Sequence, residues 1–236
     1  MTHPRILFFA GTDTEVGKTF VASLAVKELC HSGLRVGVYK PVASGCTVVD
    51  GRLVSADAIS LWNATGRTVD FDAICPQRFS APLAPQVAAR RAGQTVDEDS
   101  LLRGLATVSI DRDIVVVEGA GGLMSPLSDN YLNSTLARKM NADVVIIAAN
   151  RLGVIHQVLA TVTAAGAFHL PVVGIILNQV VSDGDESVEE NANIIANFTD
   201  VPILGQITHR SERSGIDWTA LPAPTDASVQ LIKAWL

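Results

Sequence analysis

The stretch Gly11-Thr12-Asp13-Thr14-Glu15-Val16-Gly17-Lys18-Thr19 decides the fold of this chain, because it follows the phosphate-binding pattern G-x-x-x-x-G-K-[ST] with one extra residue between its two glycines. The apolar run at residues 6–10 precedes it and is typical of a buried strand. Residues 20–30 follow it with apolar side chains at helical spacing. A glycine-rich turn with a chance lysine is the alternative, but the order of strand, glycine loop and helix favours a phosphate-binding loop.

This loop has the chemistry of an anion site. Its backbone N–H groups are expected to converge on a concave surface, and the N-terminus of the following helix adds a partial positive charge. Lys18 can reach the outer phosphates of a nucleotide, and the Thr19 hydroxyl is placed to ligate Mg²⁺. The motif therefore predicts a P-loop.

The composition favours one α/β domain that spans residues 1–236. Hydrophobic residues make up 48% of the chain and charged residues 18%, so a sizeable core is available. The net charge of −6 argues against broad nucleic-acid binding, which needs a basic face. A small anionic ligand held by a few local lysines is compatible with that charge.

The cysteines Cys30, Cys46 and Cys75 are widely spaced, and their odd number gives neither a disulfide framework nor a metal pattern. Such usage is typical of a reducing compartment. The first residues lack a charged region followed by a long apolar stretch, so no signal peptide is visible. The apolar runs have the length of strands rather than of membrane helices. We therefore expect a cytoplasmic protein that does not enter a membrane.

Strands and helices are predicted to alternate along the chain. The predicted strands cover residues 6–10, 36–39, 114–118, 143–149, 171–177 and 203–206. The predicted helices cover residues 18–32, 57–64, 85–91, 98–107, 134–140, 153–168, 187–198 and 226–236, with Ser55 as a cap of the second helix. A glycine loop is expected after Glu118. This alternation predicts a single-domain P-loop NTPase of the α/β class, with a mostly parallel central sheet and helices on both faces.

Ligands of such sheets bind at the carboxyl ends of the strands, where this chain has polar residues. Lys40 follows the second strand and could neutralise a phosphoryl group or a carboxylated substrate, with a solvated lysine as the alternative. Glu118 ends the third strand and could hold Mg²⁺, with a turn motif as the alternative. Asn178 could read a purine edge or form a turn. Asp57 is a weaker magnesium candidate, because it could serve only the dipole of its helix.

Four stretches of the sequence, in their order and with the gaps between them, match the pattern of one family. They are residues 11–19, Tyr39-Lys40-Pro41-Val42-Ala43-Ser44-Gly45, Ser55-Ala56-Asp57, and Val117-Glu118-Gly119-Ala120-Gly121-Gly122. Together they resemble the dethiobiotin synthetase family, and Leu152-Gly153 and Asn178 continue the match, so the resemblance covers residues 6–207. A generic P-loop protein would share only the first stretch. The resemblance implies an ATP- and Mg²⁺-dependent cyclo-ligase of biotin synthesis. Its substrates would be 7,8-diaminononanoate and CO₂, and its intermediates a carbamate and a carbamic-phosphoric anhydride.

The resemblance also implies a role for individual residues. The ATP contacts would be Glu15, Val16, Gly17, Lys18, Thr19, Phe20, Asp57, Glu118, Gly119, Ala120, Gly121, Asn178, Gln179, Thr208, His209 and Arg210. The catalytic residues would be Lys40, Lys18 and Thr14, and the magnesium ligands Thr19, Asp57 and Glu118. The substrate contacts would be Ser44, Gly122, Leu152, Gly153 and Val154. The last three would come from the partner chain of a homodimer and would hold the substrate carboxylate at a helix N-terminus.

Two stretches depart from the family pattern. This chain has His156-Gln157 where the family often has Asn-His, which concerns the side chains near the substrate carboxylate. The stretch Gly205-Gln206-Ile207-Thr208-His209-Arg210 lacks the proline that the family often carries there, on the side of the nucleotide base.

Other classes of protein fit this sequence less well. A cobyrinate amidase would need a further glutaminase domain, for which 236 residues leave no room. A switch ATPase like ParA or MinD would have a second lysine near the start of the loop, where this chain has Thr12 and Asp13. It would also have a basic amphipathic tail. A binding module without turnover is disfavoured by the intact Lys18, Lys40 and Glu118.

Overall fold

The computed structural model describes residues 3–183 and 185–222. Its strands are β1 (Arg5–Gly11), β2 (Val36–Tyr39), β3 (Val42–Ala43), β4 (Thr47–Val49), β5 (Arg52–Val54), β6 (Gln77–Arg78), β7 (Ile114–Gly122), β8 (Pro126–Ser128), β9 (Tyr131–Leu132), β10 (Asp143–Ala149), β11 (Val172–Asn178) and β12 (Ile203–Ile207). Its α-helices are α1 (Lys18–His31), α2 (Ala56–Ala64), α3 (Phe71–Ile74), α4 (Pro85–Arg91), α5 (Glu98–Val108), α6 (Asn133–Lys139), α7 (Val154–Ala167) and α8 (Asn191–Phe198). Short 3-10 helices cover Glu186–Val188 and Trp218–Ala220.

The centre of the molecule is a six-stranded sheet in the order β12-β11-β10-β1-β7-β2. All of its neighbouring strands run parallel, so their carboxyl ends lie at one edge. The β1 strand lies between β10 and β7, which places the loop that follows it near the middle of that edge. The predicted fold class, a parallel α/β sheet of the P-loop type, is confirmed.

Both faces of the sheet are buried because apolar residues occupy most positions of its inner strands. Along β1, Phe8 packs into the core on one face, whereas Leu7 and Phe9 pack into the core on the other. Burying each such side chain contributes roughly 1.5–3 kcal/mol. The helices α6 and α7 cover the first face, and α1 and α2 cover the second.

Local sequence signals fix two helix starts that position the site. Gly17 precedes α1 with a φ of 84°, which a residue with a side chain would adopt only under strain. The Ser55 side chain accepts a hydrogen bond from the N–H of Ala58 at 3.3 Å and so caps α2, as predicted. That cap places Asp57 in the first turn of α2.

Residues near the end of the described chain pack against its beginning. The Trp218 ring stacks against Phe9 of β1, with 5.7 Å between ring centroids. The indole N–H of Trp218 donates to the carboxylate of Glu28 on α1 at 2.8 Å. Arg5 donates to the carbonyl oxygen of Leu221 at 3.3 Å. The strand and helix that flank the P-loop are therefore completed by residues some two hundred positions later.

The structure corrects three predicted elements. The β7 strand does not end at Glu118 but continues to Gly122, which pairs with Gly11 of β1, so the expected glycine loop is strand. The predicted helix at 187–198 is split, because Asp185 caps a separate 3-10 turn before α8. The long loop after β2 contains the β4–β5 hairpin. The predicted helix at 226–236 lies outside the described residues.

No helix in the part of the chain that the structure describes is long and apolar enough to cross a membrane.

Candidate active site

The P-loop connects β1 to α1 at the carboxyl edge of the sheet. Its backbone turns through left-handed conformations at Glu15 and Gly17, with φ values of 57° and 84°. A Cβ on Gly17 would lie 2.2 Å from the Nδ2 atom of Asn178, so only glycine fits there. The side-chain amide of Asn178 in turn donates to the carbonyl oxygen of Val16 at 2.9 Å. The loop is therefore held against the end of β11.

A cavity of about 440 Å³ opens beside this loop. It brings together most of the residues that the sequence predicted for phosphate, metal and carbamate. Its lining consists of Thr14, Glu15, Gly17, Lys18, Thr19, Phe20, Lys40, Ala43, Ser44, Asp57, Glu118, Ala120 and Gly121. They come from the P-loop, the segment after β2, the first turn of α2 and the end of β7.

Lys40 is paired with two carboxylates at the floor of this cavity. Its Nζ atom lies 2.7 Å from Oε1 of Glu118 and 2.8 Å from Oδ2 of Asp57. The side chains of Lys40 and Glu118 are 4% and 1% exposed, whereas that of Asp57 is 41% exposed. Burial lowers the pKa of Lys40, but the two carboxylates outweigh it, and the net shift of that pKa is upward. Lys40 therefore stays charged, and the alternative of an ordinary solvated lysine is wrong.

The Thr19 hydroxyl lies between the same two carboxylates. It is 3.0 Å from Oδ1 of Asp57 and 2.9 Å from Oε1 of Glu118, and its single proton can serve one of them at a time. The Oε2 atom of Glu118 is buried and has no hydrogen-bond partner among residues 3–183 and 185–222. Burial raises the pKa of Asp57, but the charge of Lys40 and the hydrogen bonds from Lys40 and Thr19 together outweigh burial, so the net shift of that pKa is downward. Both carboxylates are available as ligands.

These oxygens fit Mg²⁺, which prefers hard oxygen ligands and keeps several of its waters. Magnesium is commonly held through one or two carboxylates together with substrate phosphates. Within the described residues, no group of three or more His, Cys, Asp or Glu side chains could hold a metal ion. A magnesium ion held by Thr19, Asp57 and Glu118 would therefore need water and phosphate to complete its ligands.

Lys18 is the second buried cation of the site. Its Nζ atom donates to the carbonyl oxygen of Asp13 at 3.2 Å, within the loop itself. Burial lowers the pKa of Lys18, and the nearby charge of Lys40 lowers it further. An anion placed between the two ammonium groups would relieve both costs.

The residues predicted for the nucleotide base lie beyond the other side of the P-loop. The Oδ1 atom of Asn178 is buried and finds no partner among the residues that the structure describes. Gln179 follows it, and its N–H donates to the carbonyl oxygen of Ile207 at 2.8 Å. The segment of Thr208, His209 and Arg210 comes directly after Ile207. These residues lie near one another but outside the 440 Å³ cavity.

A second cavity, of about 490 Å³, holds Gly122 from the predicted substrate set. Asp13 and Ser125 line it from one side, and His156 and Gln157 of α7 line it from the other. The two positions that depart from the family pattern thus face the same space as the P-loop and the end of β7.

Leu152, Gly153 and Val154 line neither of these two cavities. The Leu152 side chain is 82% exposed, and its backbone N–H donates to the carboxylate of Asp185 at 2.8 Å. Gly153 caps α7 with a φ of 93°, and Val154 is buried. Their predicted role, which belongs to the partner chain of a dimer, stays a prediction.

No sequence pattern marks Asn133, which the structure places behind the glycine end of β7. Its side-chain amide donates to the carbonyl oxygens of Ala120 and Gly122, at 2.6 and 2.9 Å. An asparagine at a helix start is common, and nothing in the sequence links it to residues more than ten positions earlier. This contact could have been predicted only from the geometry of the sheet.

A P-loop at the centre of a parallel sheet, with a lysine, a threonine and two carboxylates around one cavity, defines a P-loop NTPase. An AAA domain family model matches residues 5–215. Among solved structures, cell division protein FtsY from Thermotoga maritima has a TM-score of 0.51 and 15% identity. The match covers 96% of this chain and 66% of the FtsY chain, and it supports only the fold.

Curated relatives narrow this class to one family. The ATP-dependent dethiobiotin synthetase of Rhodopirellula baltica is 43% identical over 217 residues, which cover 87% of this chain and 85% of the relative. The enzymes of the same name from Aromatoleum aromaticum and Bacillus subtilis are 34% and 36% identical. The Aromatoleum match covers 98% of this chain and 99% of the relative, and the Bacillus match covers 85% and 86%. The chain belongs to the dethiobiotin synthetase family, a family of ATP-dependent ligases.

Proposed function

We propose that this chain is an ATP- and Mg²⁺-dependent cyclo-ligase that carboxylates 7,8-diaminononanoate with CO₂ and closes a ureido ring to give dethiobiotin. The observation that carries the proposal is the pairing of Lys40 with Glu118 and Asp57 beside the P-loop. The family resemblance supports the choice of substrates, because the curated relatives are named for this product.

The proposed reaction has three balanced steps. One amine of the substrate attacks CO₂, a C–N bond forms, and the loss of a proton leaves a carbamate. A carbamate oxygen then attacks the γ-phosphorus of ATP, the bond to the ADP oxygen breaks, and a carbamic-phosphoric anhydride results. The second amine attacks the carbonyl carbon, phosphate leaves, and the amine loses a proton as the ring closes.

The side chains of the cavity suit these steps by positioning reactants and by neutralising charge. Lys18 and Lys40 supply two ammonium groups at the place where phosphoryl charge is transferred. Thr14 and Ser44 line the same cavity and can hydrogen-bond the carbamate. Magnesium, held by Thr19, Asp57 and Glu118, would neutralise charge on the β- and γ-phosphates.

We further propose a homodimer in the cytoplasm, in which Leu152, Gly153 and Val154 of one chain hold the substrate carboxylate of the other. The exposed Leu152 at the start of α7 supports this placement, because a helix N-terminus attracts a carboxylate. The adenine would lie against Asn178, whose buried Oδ1 atom can accept a hydrogen bond from the purine amino group.

The test is the incorporation of labelled bicarbonate into an acid-stable product. Purified protein is mixed with Mg²⁺-ATP and 7,8-diaminononanoate, with a control that lacks the diamine. Label that depends on the diamine and appears together with ADP is the expected result. ATP hydrolysis without fixed label would refute the proposal and favour the switch ATPase.

Two variants, Lys40→Gln and Glu118→Gln, test whether side chains of this cavity carry out the chemistry. Lys40→Gln should bind ATP and lose turnover, whereas Lys27→Gln, on the exposed face of α1, should behave like the wild type. If Lys40→Gln left turnover intact, the role of Lys40 would be wrong. Glu118→Gln should shift the Mg²⁺ titration to higher concentration, and an unchanged titration would count against its role as a metal ligand.

A further inference from the structure

Asn133 is a buried residue whose side chain reaches the active site through the backbone of β7. It is the first residue of α6 and is 1% exposed. Its Nδ2 atom donates to the carbonyl oxygens of Ala120 and Gly122, at 2.6 and 2.9 Å. Ala120 lines the 440 Å³ cavity and Gly122 lines the 490 Å³ cavity. The side chain of Asn133 thus holds one peptide carbonyl at the edge of each cavity.

These two hydrogen bonds fix the direction of the N–H group between them. The peptide bond from Ala120 to Gly121 is trans and planar, so the N–H of Gly121 points opposite to the carbonyl of Ala120. That carbonyl faces Asn133, which lines neither cavity, so the N–H of Gly121 is turned away from Asn133. Gly121 itself lines the cavity that holds Lys18 and Lys40.

The neighbouring N–H group is not available for a ligand. The N–H of Gly122 donates to the hydroxyl of Ser125 at 2.9 Å. A left-handed φ of 79° at Gly121 produces this change of direction between successive peptide groups. Gly121 therefore presents its backbone donor to the cavity, while Gly122 uses its donor inside the protein.

Holding Asn133 in this place carries a cost. Its Oδ1 atom is buried without a hydrogen-bond partner in the described part of the chain, so its loss of hydration is not compensated. A Cβ on Gly119 would lie 3.0 Å from this oxygen and 2.8 Å from the Phe8 ring. A residue that served only packing would avoid an unpaired oxygen, so the cost points to the two amide donors as the reason for an asparagine.

We propose that Asn133 is a positioning residue that aims the N–H of Gly121 at the terminal phosphoryl group of a bound nucleoside triphosphate. A fixed N–H donor stabilises charge on that group more than a mobile one, because it needs no reorganisation when the charge develops. The inference rests on the proposed function, because that function includes the transfer of this phosphoryl group. The N–H of Gly121 itself affects the binding of the triphosphate, whether or not transfer follows.

The first test separates the terminal phosphate from the rest of the nucleotide. Isothermal titration of Asn133→Ala measures Kd for Mg²⁺-ADP and for Mg²⁺ with the non-hydrolysable analogue adenylyl imidodiphosphate. We expect the analogue to bind roughly tenfold more weakly than to the wild type, about 1.4 kcal/mol, and ADP within about twofold. The control Ser134→Ala changes the next buried residue, whose hydroxyl contacts Met124 rather than β7, and should match the wild type.

Equal weakening of both ligands, or no change in either by a folded variant, would overturn the proposal. A second measurement does not depend on the variant folding. In wild-type protein labelled with ¹⁵N-glycine, the Gly121 amide resonance should shift when the analogue replaces ADP, and an unmoved resonance would contradict the inference. Neither readout uses the diamine, so a chain that fails to fix bicarbonate refutes the proposed function without deciding the role of Asn133.

Discussion

Replacing Lys40 with methionine should strongly destabilise the free protein, because Glu118 would be left buried without its cation. Glu118 is 1% exposed, and removing one partner of a buried ion pair typically costs roughly 3–5 kcal/mol. The contact with Asp57 adds less than about 1 kcal/mol, since that carboxylate is 41% exposed. For a domain of this size, about 2–4 °C is lost per kcal/mol, so we expect Tm to fall by roughly 6–20 °C.

Urea unfolding in EDTA, followed by tryptophan fluorescence, measures this loss. Adding Mg²⁺ should stabilise Lys40→Met more than the wild type, because the freed carboxylates of Asp57 and Glu118 gain a replacement cation. Lys27→Met, at an exposed position on α1, is the control and should change the free energy of unfolding by less than about 0.5 kcal/mol.

The double variant Lys40→Met/Glu118→Gln decides whether the buried charge is the cause. A neutral amide at position 118 no longer needs a cation, so the double variant should be more stable than Lys40→Met alone. If the costs of the two single changes simply added, or if Lys40→Met lay within about 1 kcal/mol of the wild type, the reasoning would be refuted.

The remaining predictions concern the nucleotide and the end of the described chain. Asn178→Ala removes the proposed contact to the base as well as the bond to Val16, so it should raise the Kd of ADP roughly tenfold and that of inorganic tripolyphosphate by less; equal losses for both ligands would contradict a role at the base. Because phosphate binds the charged form of Lys18, whose pKa is lowered by burial, ATP affinity should fall as pH rises through that pKa. Lys18→Arg stays charged and should flatten this pH profile, as titration calorimetry from neutral to alkaline pH would show. Trp218→Phe removes the N–H donor to Glu28 and should cost about 1–2 kcal/mol in urea unfolding, and no change would argue against that bond.

The sequence predicted a feature well where the residues that form this feature lie within one short stretch. The P-loop pattern carries its own glycine and lysine, and Ser55 caps a helix only three residues away. The alternation of apolar runs with helical spacing was enough for a parallel sheet, and the sheet then brought Lys40 and Glu118 to one edge. Their spacing of 78 residues in the chain did not matter, because Lys40 follows β2 and Glu118 lies in the neighbouring parallel strand β7.

The sequence was uninformative where a role depends on contacts between distant backbones. Gly122 is strand because it pairs with Gly11, although its composition suggested a loop. Asn133 acts on the carbonyls of residues 120 and 122, and no periodicity marks such a contact. The segment at 187–198 has helical spacing throughout, but Asp185 captures the N–H of Ser187 and starts a separate turn.

The position of β1 also bears on how the protein is made. The strand that leads into the P-loop is synthesised before its neighbours β7 and β10, which are encoded more than a hundred residues later. The ring that covers Phe9 is Trp218, so this part of the core closes only near the end of the described chain. At about 5–20 residues per second, the ribosome needs roughly 10–40 s to deliver that tryptophan after Phe9. During this interval Phe9 lacks the cover of Trp218, and transiently exposed apolar surface of this kind is what chaperones bind.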